Sequence, residues 1–69
     1  MFANLIKEMK LRKVSQKDIA ALIGKTPTSV SRYILGRSDF TYEQMSKIRD
    51  TFFNGLSFDY LFERKKVEK

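Results

Sequence analysis

Apolar residues recur along this chain at helical spacing in five places, most of them preceded by a side chain able to cap a helix. Phe2, Leu5, Ile6 and Met9 follow the i, i+3, i+4, i+7 rule of one buried face and predict a first helix over about 2–11. Ile19, Ala20 and Ile23 predict a second over about 16–23, with Ser15 as N-cap and Asp18 at the capping-box position. The third, over about 27–35, opens on Thr26-Pro27, an N-cap followed by a proline at the first helical position, and buries Val30, Tyr33 and Ile34. Thr41 and Gln44 make a second capping box ahead of helix four, whose apolar residues are Tyr42, Met45, Ile48 and Phe52. Asn54-Gly55 is a turn signal that ends this helix by Phe53. Ser57 caps a short fifth helix containing Phe58, Leu61 and Phe62, and a charged tail occupies 64–69. No strand, repeat or dividing linker is predicted. The expected fold is all-α, a compact five-helix single domain over residues 1–69.

Helices two and three stand out because only a tight turn separates them. Gly24 supplies the positive φ of a sharp reversal, and Gly36 ends the third helix. Ala20 is small enough to let two steeply crossing helices approach. The stripe Val30, Tyr33, Ile34 leaves Thr28, Ser31 and Arg32 on the opposite face, with Ser29 at its edge. That face is short, polar and cationic and carries no acid, which suits base edges in a DNA major groove. The Arg32 guanidinium matches O6 and N7 of guanine; the alternatives for it are an exposed arginine and a phosphate contact. Thr28 and Ser31 can donate or accept to several bases, or bond within their own helix. Ser29 is placed to reach the DNA backbone. Gln16, at the start of helix two, offers its backbone N–H to a phosphate along the helix dipole.

Charge sharpens this reading. The net charge is +6, and residues 1–37 hold eight Lys/Arg against Glu8 and Asp18, whereas 38–69 hold six of each sign. The whole excess therefore lies in the half that carries the two-helix unit, as a polyanion-binding surface requires. Lys10, Arg12 and Lys17 are read as solvated. Histidine and cysteine are both absent, which removes the commonest general base, the thiolate nucleophile and the usual metal ligands. With no glycine-rich phosphate loop or paired-acid motif either, no enzyme, metal or cofactor is expected. The lack of a membrane-length apolar run or a leader pattern predicts a soluble, cytoplasmic protein.

The segment 15–36 resembles the helix-turn-helix of the phage Cro/repressor-type (XRE-like) family, through Gln16, Ala20, Ile23, Gly24, Val30, Ser31, Arg32, Tyr33 and Gly36. The resemblance covers about 4–62, including the closing stretch Leu56-Ser57-Phe58-Asp59-Tyr60-Leu61-Phe62. It implies phosphate contacts from Gln16 and from Lys25, Thr26, Arg37 and Ser38, which flank the third helix. It also exposes departures. Gln16 faces Pro27, which has no polar side chain to receive the brace this glutamine gives in similar proteins. Lys13 stands where glycine is common. Met9 and Ile34 stand where a basic–acidic pair is common, so an apolar contact is expected there. The loop at Phe53-Asn54-Gly55 is longer than usual.

Together these features predict a sequence-specific transcriptional regulator, of phage or prophage Cro/repressor type, acting on double-stranded operator DNA. Nine aromatics are many for a core this small, and Phe58, Tyr60 and Phe62 are assigned to a homodimer interface on a palindromic site. No small-molecule ligand is implied. The alternative is the antitoxin of a toxin–antitoxin pair, using the same aromatic cluster to hold a toxin.

Overall fold

In the computed structural model of the protein, which describes residues 1–64, each helix begins where a side chain caps it. The Ser15 hydroxyl accepts the Asp18 N–H and the Asp18 carboxylate accepts the Ser15 N–H, each at 3.0 Å, which opens α2 (Gln16–Ile23). Thr41 and Gln44 reciprocate in the same way at the start of α4 (Tyr42–Phe52). Thr26 caps α3 (Pro27–Leu35), and Ser57 caps the single turn of α5 (Phe58–Leu61). The exception is the first helix, α1 (Ala3–Arg12), which has no side-chain cap. Phe2 stands at its N-cap rather than inside it, at φ −93° and ψ 79°, and its N–H is given to the Ile34 carbonyl at 3.0 Å. The chain's first residues are thereby tied to the end of α3. Among the described residues there is no strand, and no helix is long and apolar enough to cross a membrane.

Four described residues are left-handed, Lys13, Gly24, Gly36 and Gly55, and the first three of them each end a helix. Gly24 ends α2 at φ 71°, and its N–H reaches back to the Ala20 carbonyl. Lys13 ends α1 at φ 57° and ψ 41°, the only non-glycine with positive φ among the described residues. A β-carbon in that region costs roughly 1–2 kcal/mol. This is the strain expected of a lysine in a glycine's place.

The core is assembled from all five helices. Leu5, Ile19, Val30, Ile48, Phe53 and Leu61 are fully buried, and Ala20 of α2 is 3% exposed. Met9 and Ile34 are both buried in this core. Part of this core is an aromatic layer. Phe2 meets Phe62 edge-on at 5.6 Å, Phe40 lies 6.0 Å from Phe62, and Tyr33 stacks on Phe40 at 4.7 Å.

One sequence expectation about burial is corrected here. Tyr42, predicted on the apolar face of α4, is 71% exposed, because at the first position of the helix its ring lies over Phe58 at 5.3 Å instead of entering the core. Phe53, beyond the helical period, is the fully buried aromatic at that end, turned inward by its non-helical C-cap conformation. Arg12 is exposed, as read from sequence, and its guanidinium also lies 5.7 Å from the Phe53 ring, donates to the Phe52 carbonyl at 3.2 Å and approaches Glu8 at 3.8 Å. It fastens α1 to the end of α4. Of the charged tail, only Arg64 lies within the described residues; its guanidinium pairs with Asp39 at 2.9 Å.

Candidate nucleic-acid interface

The turn at Gly24 and Lys25 brings the start of α2 beside the outer face of α3. One surface depression results, lined by Gln16 from α2, by Pro27, Thr28, Ser31, Arg32 and Leu35 from α3, and by Arg37 from the following loop. Thr28, Arg32, Arg37 and Gln16 are exposed and Ser31 is half-buried. Five residues selected from sequence, namely Gln16, Thr28, Ser31, Arg32 and Arg37, are therefore gathered into one concavity. The other four lie outside its lining. Lys25 is exposed in the turn and Ser38 in the loop after Gly36. Thr26 and Ser29 are engaged with each other: the Thr26 hydroxyl accepts the Ser29 N–H and donates to the Ser29 hydroxyl, both at 3.1 Å.

No acid lines the depression, so its two guanidinium groups set its sign. The nearest acids in sequence are committed elsewhere. Asp39 is paired with Arg64, an exposed contact of little energetic worth that nonetheless places a cation on that carboxylate. Asp18 is held by the Ser15 backbone N–H and hydroxyl, hydrogen bonds that keep its carboxyl below the usual carboxylate range. Asp18 therefore stays anionic at neutral pH but serves as the cap of α2.

Leu35 was missed by sequence reasoning. Leu35 is 45% exposed on the same face as the reading residues. Positions 28, 31, 32 and 35 follow the i, i+3, i+4, i+7 rule, so the signal was present. It was hidden because a leucine beside Ile34 reads as core. Pro27 stands beside Gln16 in the lining and offers it no polar side chain, in keeping with the departure noted in the sequence.

The aromatic assignments divide. Phe62, placed at a dimer face from sequence, is a core residue, 8% exposed and held between Phe2 and Phe40. A domain this small draws into its core the aromatic that one turn of α5 brings over Phe2. Tyr60 is half-buried, and its hydroxyl donates to Glu8 at 2.9 Å. Phe58 is also half-buried, with Tyr42 over it. The exposed aromatic of this end is thus Tyr42.

A sequence profile of the helix-turn-helix family matches residues 5–61. No curated protein and no solved structure gives a match.

Proposed function

We propose a function from the premise that the chain belongs to the helix-turn-helix family of Cro/repressor type, and is therefore a DNA-binding transcriptional regulator: it reads a specific operator through the outer face of α3. The observation that carries this reading is the acid-free depression in which Gln16, Thr28, Ser31, Arg32 and Arg37 meet. α3 enters the major groove with Arg32 forked on guanine O6 and N7. Thr28 and Ser31 contact neighbouring base edges, and Leu35 packs on a thymine methyl. Gln16 presents the start of α2 to a phosphate, while Lys25, Thr26, Ser29, Arg37 and Ser38 hold the backbone on either side and set the register.

The operator is a palindrome and the protein binds it as a homodimer in the bacterial or host-cell cytoplasm, as a phage or prophage regulator would. The exposed Tyr42, lying over the half-buried Phe58, supports a self-complementary contact between copies. Selection of bound duplexes from a random pool tests the proposal. It is expected to return one sequence in two inverted half-sites about one helical turn apart. A pool left unenriched would overturn it.

A further inference from the structure

We propose that the groove where the end of α1 meets α2 and α3 binds a small amphiphilic anion, an apolar body bearing one carboxylate, at the flank of the DNA-reading face. Its volume is about 510 Å³, within the range of small-molecule sites. Ile6, Met9, Val14, Ile34 and Leu35 give it an apolar floor and wall drawn from different parts of the chain.

Charge selects the sign of the ligand. The ionisable residues of the lining are Lys10 and Lys13, both exposed, and no acid joins them. Glu8, the acid of α1, is turned to Tyr60 and Arg12. Ser15 also lines the groove, but Ser15 and Asp18 already cap each other, which leaves the head group to the lysines. Lys13 holds its place at φ 57°, where glycine would sit without strain. The strained residue thus sets a cation beside the apolar wall.

Gln16 and Leu35 line both this groove and the depression of the reading face. An occupied groove therefore lowers DNA affinity. That coupling rests on the DNA reading proposed above; the binding itself does not.

The test is a methyl-labelled NMR titration of the full chain with sodium decanoate below its micelle threshold, set against decyltrimethylammonium bromide. Saturable shifts at the Met9, Ile6 and Ile34 methyls with decanoate, and none with the cation, are expected. The double variant Lys10→Gln/Lys13→Gly, with helicity verified by circular dichroism, is expected to weaken decanoate roughly two- to thirty-fold, as two exposed charge contacts would. Leu35→Ala, which cuts the wall of the groove, weakens it as well. A second arm measures a labelled duplex of arbitrary sequence at low salt, from which decanoate is expected to release the wild-type protein. Absence of saturable shifts, or an equal response to the cation, would overturn the proposal. So would shifts that follow protein concentration alone, which would make the groove a contact between copies. Methyl shifts without duplex release would overturn the coupling. A protein that bound no duplex would end the DNA reading, and the methyl titration would still decide the groove.

Discussion

The hydroxyl of Tyr60 donates a hydrogen bond to the carboxylate of Glu8 at 2.9 Å, joining the last helix to the first. Asn4 reinforces the junction by donating to the Tyr60 carbonyl at 2.9 Å. A single helical turn cannot hold itself together in water, so α5 depends on these long-range partners and on the burial of Leu61 and Phe62.

This junction predicts an alkaline limit to stability. Accepting the hydrogen bond, Glu8 favours the protonated phenol and raises the Tyr60 pKa above the usual tyrosine value. A group raised on folding contributes stability in full below its unfolded value and loses it as pH rises through the folded one. The thermal midpoint of the wild type is therefore expected to fall through the tyrosine range. Tyr60→Phe should start lower and lose that part of the fall. Parallel curves for the two proteins would show that the bond contributes nothing.

Lys13 predicts a stabilised variant. Lys13→Gly removes the left-handed penalty but gains unfolded-chain entropy, for a net increase of about 0.5–1 kcal/mol. Urea unfolding at constant slope measures it. A lower midpoint would mean that the lysine side chain contributes more than its backbone strain costs.

What could be read from the sequence was what side chains do to their own neighbourhood. The caps at Ser15, Thr26, Thr41 and Ser57 each act over three residues, and the observed starts of α2, α3, α4 and α5 follow from them. The reading face was legible for the same reason, as the polar complement of the Val30, Tyr33, Ile34 stripe. What could not be read was burial decided by distant partners. Tyr42, spaced for the core, lies exposed over Phe58, and Phe62 is captured by Phe2 and Phe40. Each outcome depends on how separate helices meet, which no local pattern records.

The division among the aromatics can be tested directly. Phe62→Ala, which empties a buried site, is expected to cost about 3–5 kcal/mol and to unfold much of a domain this small. Tyr42→Asp should keep its helicity while lowering self-association and operator affinity together. Sedimentation and circular dichroism on the same samples separate these outcomes. Unchanged association in Tyr42→Asp would move the dimer contact elsewhere.

Operator binding should weaken steeply with salt. If each subunit of a dimer neutralises three or four phosphates, the slope of log K against log salt is roughly −5 to −7. Lys25→Ala and Arg37→Ala should each weaken all sequences alike and reduce the slope by about one for every phosphate no longer neutralised. An affinity indifferent to salt would remove the phosphate contacts from this account.

The most direct test of the reading face is the affinity of Arg32→Ala for the selected operator and for every single-base variant of it, beside the wild type. Arg32 is exposed in the depression it shares with Gln16 and Arg37, with no acid in its lining. Loss of its guanidinium is expected to cost roughly 1–3 kcal/mol on the preferred site and to flatten the preference at one base pair per half-site. The other columns of the matrix should keep their order, because Thr28 and Ser31 remain. A loss of equal size at every sequence, with all preferences intact, would contradict the assignment and make Arg32 a phosphate contact.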